Sequence, residues 1–401
     1  MDSTTGQPGR KSANPRGTIP GPRVAGASRS PSRTIALGIV GAAGRGAAFR
    51  KAIAATGRFH VAAVCELNAE RAAAAAEAFG ADHSFTEYEA MLEDGGVSAV
   101  LIGTPMPLHA PQSIAALERD IHVLSEVPAA VNLEEAQRLV MACRRSSAVY
   151  MIAENYTFIR ENMMVREMVR AGLFGEPYYA EGEYLHELKE HNERTPWRRR
   201  WQTGVNGITY PTHSLGPILQ WMPGDRVVSV CCAGSGHHYR DPRGREYENE
   251  DTCVMLCRMK SGGLVKIRLD MLSDRPHAMN IYQLQGTEGA YESPRAPGEK
   301  HRIWLRSRHG SPDAWRDLAS LEQEFLPAAW REHAAAAAEA GHGGGDFLEL
   351  LHFADVIEGR QPNDLPIDAA MDMTLPGLAS QQSIVEGGRW VDVPDSRAWG
   401  E

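Results

Sequence analysis

The sequence predicts a two-part α/β protein: an N-terminal Rossmann half built on a doubly wound parallel sheet, then an α+β half with a large open, mostly antiparallel sheet. Three observations predict it. From residue 35, short continuous apolar runs alternate with helical stretches of about ten residues, the pattern of βαβ units. A glycine-rich turn closes the first run. Beyond Gly175 the runs lengthen and alternate apolar with polar, as strands with one packed face do.

In chain order, Ile35–Val40 (IALGIV) reads as a buried strand, residues 41–46 as a turn and residues 47–56 as a helix. Phe59–Cys65 is the second strand, and Ala69–Phe79 is an Ala-rich helix, Ala being the strongest helix former. Strands follow at 98–102, 121–124 and 149–153, separated by helices at 109–118 and Leu133–Arg145. The crossovers of such units are right-handed. The Rossmann domain is therefore expected over 34–154. A helix at 162–171, closed by Gly172 and Gly175, leads into the second domain, 155–401. Its strands are expected at 178–186, 227–233, Thr252–Met259, 264–271 and 280–285, and its helices at 321–340, 347–358 and 369–386. These last helices are placed to return to the first domain.

With 401 residues, 43% apolar and 23% charged, the chain is globular in composition, which excludes collagen-like, wholly disordered and disulfide-scaffold classes. The net charge of −9 argues against nucleic acid as the main ligand. That charge is uneven: residues 1–33 hold six Lys/Arg against the single acid Asp2, with five each of Gly, Pro and Ser. They read as a disordered basic tail of net +5, leaving a body of net −14. The tail lacks the apolar run of a secretory signal and an Arg-Arg pair, and no stretch reaches the roughly 18 apolar residues of a membrane span. The six cysteines contain no C-x-x-C pair and read as reduced thiols; Cys253 and Cys257 fall on one strand face. A cytoplasmic protein is expected.

Gly41-Ala42-Ala43-Gly44-Arg45-Gly46 stands between a strand and a helix, where free N–H groups and the helix dipole suit a pyrophosphate. Glu66 lies 20 residues after Gly46, at the end of the second strand, where a carboxylate accepts from a ribose diol and repels a 2′-phosphate. NAD is the expected cofactor. Thr104-Pro105 with His109, and Glu126-Val127-Pro128, close further strands at the ligand-binding edge. In the second half, Tyr184 and His186 alternate onto one face of a strand, and Tyr210-Pro211-Thr212-His213 opens a helix followed by Gly216-Pro217. His186 and His191 form H-E-x-x-x-H, off by one residue from the i, i+4 pair of a zinc protease, and no metal is expected. His237-His238 reads as an exposed hairpin tip; no G-x-S-x-G elbow and no paired-carboxylate motif is present.

These motifs, in this order over about 34–390, resemble the Gfo/Idh/MocA oxidoreductases, NAD(P)-dependent enzymes acting on sugars and cyclitols. Many members carry Lys where this chain has Val127, so a different base is required if the chemistry is kept. Tyr-x-His, Tyr-Pro-Thr-His with Gly-Pro, Glu-Val-Pro, and Gly341-His342-Gly343-Gly344 with Asp346-Phe347 resemble one branch, the NAD-dependent glycosidases, of which alpha-N-acetylgalactosaminidase is the named example. The resemblance implies that Glu66, Glu126, Val127 and Asn155 contact NAD, and that Tyr184, Arg198, Tyr210, Pro211, Thr212 and His213 contact the sugar. For a further substrate-contacting Tyr of the branch, His277 and Tyr282 are both candidates.

The implied reaction is a transient oxidation at sugar C3, deprotonation at C2, loss of the C1 substituent, water addition and reduction. Tyr184, His186 and His213 are the expected catalytic groups, Tyr184 needing a lowered pKa to act as a base. Two alternatives remain open: a sugar or inositol dehydrogenase that releases NADH, and a non-catalytic NAD(H)-binding protein. The open sheet face suggests a homo-oligomer.

Overall fold

The structure, a computed structural model, describes residues 34–308 and 314–400. The basic tail expected over 1–33 lies outside the described residues. The first sheet contains β1 (Ile35–Val40), β2 (Phe59–Cys65), β3 (His83–Phe85), β4 (Ala99–Ile102), β5 (His122–Ser125) and β6 (Tyr150–Ile152). They pair in the order β3-β2-β1-β4-β5-β6, every pair parallel. β1, β4, β5 and β6 are almost wholly buried, because helices cover both faces, and that is why their sequences run apolar without alternation. Register fixes the site: Val40 lies beside Ile102, Ile102 beside Ser125, and Ser125 beside Ile152. The segments that follow, at 41–46, 103–109, 126–128 and 153–155, therefore leave the sheet along one edge.

The second sheet contains β7 (Pro177–Leu185), β8 (Val227–Gly234), β9 (Thr252–Met259), β10 (Leu264–Asp270), β11 (Ala278–Gly286), β12 (Gly289–Glu292), β13 (Arg302–Leu305), β14 (Arg316–Asp317) and β15 (Val391–Asp392). The order is β14-β13-β12-β11-β7-β10-β9-β8-β15, antiparallel throughout except for the β10–β7 pair. Alternation is visible in β9, where Cys253, Met255, Cys257 and Met259 are buried and Arg258 is exposed. The buried face is covered by helix Ile367–Val385, tied to β8 by the Cys232 amide donating to Ser383 Oγ at 2.9 Å, and by helix Thr212–Trp221.

The C-terminal helices do return to the first half. Helix Gly345–Ile357 stacks Phe353 on Phe59 and pairs Asp355 with Arg58 at 2.9 Å. The stretch expected as one helix over 321–340 is two, Glu322–Phe325 and Ala328–Glu339, because Pro327 interrupts the hydrogen-bond ladder. Residues 47–56 start instead as a tight 3-10 turn, Arg45–Phe49, before helix Arg50–Thr56. His186 lies just past the end of β7 and His191 on helix Lys189–Arg194, so the two do not share a helix. Among the described residues no helix is long and apolar enough to cross a membrane.

Candidate active site

The glycine turn is tightly constrained. Gly41 sits at φ +77°, and a Cβ there would lie 2.5 Å from the Gly103 carbonyl oxygen, so glycine alone lets the β1 and β4 ends approach. The Ala43 amide donates to Glu66 Oε1 at 2.8 Å, which locks the acid against the turn and leaves Oε2 without a hydrogen bond among the described residues. Thr104 Oγ1 donates to Gln112 at 2.6 Å, and Pro105 opens a single turn. His109 is buried with Nδ1 at 2.9 Å from the Pro128 carbonyl and Nε2 at 2.8 Å from that of Thr104. Both ring nitrogens therefore face protein, and His109 acts by tying these two loops together. Burial lowers its pKa, and the two carbonyl contacts oppose that shift.

Arg45 does more than its place in the turn foretold. Its Nε donates to Glu126 Oε1 at 2.6 Å, and its terminal nitrogen to Asp346 Oδ1 at 3.2 Å. Asp346 also accepts from Asn155 Nδ2 at 2.7 Å and pairs with His342 Nδ1 at 3.0 Å. Burial pushes the Asp346 carboxyl up, but the His342 bond and the Arg45 charge outweigh it and hold the group below the ordinary carboxylate range. The segment 342–346, far along the sequence, thus closes onto the edge of the first sheet. His342, Asp346 and, one helical turn on, Glu349 were not among the residues expected to hold cofactor. Glu349 is fully buried, neither oxygen has a partner among the described residues, and burial with the charges of Asp346 and Glu126 drives its pKa up. Val127 is buried and supplies no titratable group at this edge.

The residues present fit a dinucleotide: the cradle at Gly41, the open carboxylate oxygen of Glu66, and Asn155, whose Oδ1 is buried without a partner among the described residues.

Across from this edge the second half brings together the expected aromatic and imidazole groups. The Tyr184 hydroxyl lies 3.0 Å from His186 Nδ1. Burial pushes the Tyr184 pKa above its ordinary value, with the Arg198 charge opposing, so the lowered phenol expected from sequence is not what the fold provides. Burial, helped by the charges of His277 and Arg198, lowers His186 to about 4, so its ring is a neutral acceptor for the phenol. Arg198 donates to Gln202 at 3.2 Å, and its charge reaches Tyr184, His186 and Tyr210. Pro211 and Thr212 are buried, Thr212 Oγ1 without a partner among the described residues.

His213 is packed between Tyr156, stacked on its ring at 3.9 Å, and Tyr210, edge-on at 4.9 Å; its centroid is 5.4 Å from that of Tyr184. Its Nδ1 meets Glu154 at 2.9 Å. Glu154 and Tyr156 were missed because they flank Asn155 in an irregular segment with no periodicity to flag them. The Gly-Pro pair has a backbone meaning too. Pro217 lies inside helix Thr212–Trp221 and has no N–H for the His213 carbonyl four residues back; the Tyr282 hydroxyl donates to that carbonyl instead. Tyr282 is therefore buried behind His213, whereas His277 is exposed and meets the His186 ring at 4.5 Å.

A parallel sheet with this turn, an acid after its second strand, and a second sheet presenting Tyr/His pairs defines an NAD-dependent Rossmann enzyme with a second, open-sheet half. The profile of the oxidoreductase family with an NAD-binding Rossmann fold, Gfo/Idh/MocA, matches residues 35–154, and that of the glycosyl hydrolase 109 C-terminal domain matches 158–399. The chain belongs to the glycosyl hydrolase 109 family; it is an NAD-dependent enzyme acting on sugars. A glycosyl hydrolase family 109 protein of Saccharopolyspora erythraea is 30% identical over 96% of this chain and 88% of its own, and one of Streptomyces filamentosus is 31% identical over 90% and 77%. In fold the chain is similar to levoglucosan dehydrogenase in complex with NADH and L-sorbose, with a TM-score of 0.76 at 22% identity over 91% of this chain and 100% of that one. It is also similar to the WlbA dehydrogenase of Bordetella pertussis in complex with NADH and UDP-GlcNAcA, with a TM-score of 0.73 at 23% identity over 90% and 98%.

Proposed function

We propose that the chain is a glycosidase that cleaves by transient oxidation at sugar C3, with residues 34–154 serving mainly the cofactor and 155–401 mainly the sugar. NAD bound at the first sheet's edge would supply the acceptor of the C3 hydride and, at the end of the cycle, its donor. Gly41, Ala43, Gly44, Arg45, Gly46, Glu66, Thr104, Pro105, Glu126, Val127 and Asn155 would hold it, with His109 bracing the loops. His213 takes the C3 hydroxyl proton at its Nε2. The resulting ketone acidifies the C2 proton. Tyr184 removes that proton while its own passes to His186 Nδ1; the relay answers the raised phenol pKa, because no free phenolate has to persist in the buried site. The C1 substituent then leaves with its electron pair, water adds at C1, and the same relay returns the proton to C2. Arg198, Tyr210, Pro211 and Thr212 orient the sugar.

The observation that carries this reading is the presence of two separate proton-transfer centres, Tyr184–His186 and His213–Glu154. A plain dehydrogenase needs one base at the hydroxyl it oxidises; elimination needs a second at C2. Incubation with NAD⁺ and a panel of nitrophenyl glycosides should release nitrophenol with no matching rise in NADH absorbance. NADH accumulating in step with an oxidised sugar would establish the dehydrogenase alternative. The six free thiols support a cytoplasmic setting. The second sheet's outer face, with Lys266 and Arg268 set against Glu181 and Glu183, is a surface for a second copy, which light scattering would test by mass.

A further inference from the structure

We propose that Glu154 is the positioning residue of this reaction: it sets the tautomer and orientation of His213, and Gly216 is kept small to admit it. The inference rests on reading His213 as the acceptor of the C3 hydroxyl proton.

Glu154 is wholly buried at the end of β6, on the first sheet, while His213 belongs to the first turn of a helix of the second half. Their contact joins the two halves at the reacting end. Glu154 Oε1 accepts from the Tyr156 amide at 3.1 Å, which fixes the carboxylate and marks it as an acceptor. The His213 Nδ1 at 2.9 Å from Oε1 and 3.1 Å from Oε2 must then be the donor. A neutral imidazole with its proton on Nδ1 has its lone pair on Nε2, and a base needs that lone pair directed at the substrate. The Tyr156 ring, parallel to the imidazole within 6°, blocks rotation out of this plane.

Gly216 lies three residues after His213, on the same helical face. A Cβ there would fall 2.5 Å from Glu154 Cγ and 3.0 Å from Thr157 Oγ1. Contact at Cγ cannot be relieved by swinging the end of the side chain, so any larger residue displaces the carboxylate from His213. The Gly-Pro pair thus serves His213 twice: Gly216 clears the path for Glu154, and Pro217 frees the backbone carbonyl that Tyr282 holds. The arrangement also supplies what Val127 withholds, since the ordered imidazole stands in for an absent lysine.

The test uses the NAD-loaded protein, labelled with 15N-histidine and assigned by loss of one signal set in His213→Gln. In the wild type the His213 ring should show a protonated Nδ1 and an unprotonated Nε2; the reverse tautomer would overturn the proposal without any variant having to fold. Glu154→Gln, whose amide can donate to Nδ1, should shift the ring toward the Nε2-protonated form and lower kcat by about 10²- to 10⁴-fold, with KM and NAD affinity within about threefold. Gly216→Ala, which leaves both groups chemically intact, should reproduce part of that kcat loss. A Glu154→Gln protein with wild-type kcat or tautomer would also overturn it. Failure of the glycosidase reading is separate: it shows as absence of glycoside cleavage and leaves the tautomer measurement valid.

Discussion

The two histidine centres of the site are built on opposite plans. His213 is clamped: a buried carboxylate on one nitrogen, an aromatic ring across its face, and a helix whose backbone is held by a tyrosine. His186 stands at the end of a strand, bonded to a phenol and meeting the exposed His277. A clamped imidazole can take a proton repeatedly from one fixed hydroxyl. A neutral imidazole behind a phenol can only receive what the phenol passes on. Under the proposed mechanism, this contrast places the oxidation step and the elimination step at different locations as well as on different residue types.

Substitutions should break this pairing unequally. His213→Ala should lower turnover by about 10²- to 10⁴-fold and also abolish the single-turnover appearance of NADH when sugar is mixed with enzyme and NAD⁺, because oxidation cannot begin. Tyr184→Phe should lower cleavage by a similar factor of about 10² to 10⁴ and yet keep that single-turnover NADH signal in stopped-flow absorbance. Equal loss of the signal in both would erase the distinction.

The pH response should sharpen the comparison. With His186 lowered to about 4, elimination should persist through weakly acidic pH and fall as pH drops through about 4, since the protonated ring no longer accepts from Tyr184. The folded state binds fewer protons here than the unfolded chain between about 4 and the ordinary value of 6.5, so His186 adds a stability that rises with pH across that window and is lost below it. Rates and melting temperatures in a buffer series would check both.

A smaller effect belongs to Glu349. Its pKa is raised in the folded state, so the native protein holds a proton that the unfolded chain has released above the ordinary Glu range, and stability declines as pH rises from there. Glu349→Gln should remove that decline and leave the variant more stable than the wild type at neutral pH. Denaturation of the two proteins at acid and neutral pH would show the gap widening upward.

Much of this was legible in the sequence. Strands buried on both faces announce themselves as unbroken apolar runs, as in IALGIV, and half-buried ones by alternation, as in Thr252–Met259. The glycine turn, Glu66, Tyr184, His186 and His213 could be named because their spacing carries the chemistry. Strands of two to four residues, such as β14 and β15, are too short to show a period. Glu154, and the role of Asp346 within its quoted motif, were hidden for another reason: each works through a partner more than fifty positions away, His213 and Arg45, and only the folded chain supplies the pairing.

The most direct measurement is NMR of the sugar released from a glycoside in D₂O by the NAD-loaded protein. Removal of the C2 proton by Tyr184 with its return from a solvent-exchanged relay places deuterium at C2 of the product. Cleavage with C2 fully protonated would contradict the elimination route and the role assigned to Tyr184 and His186.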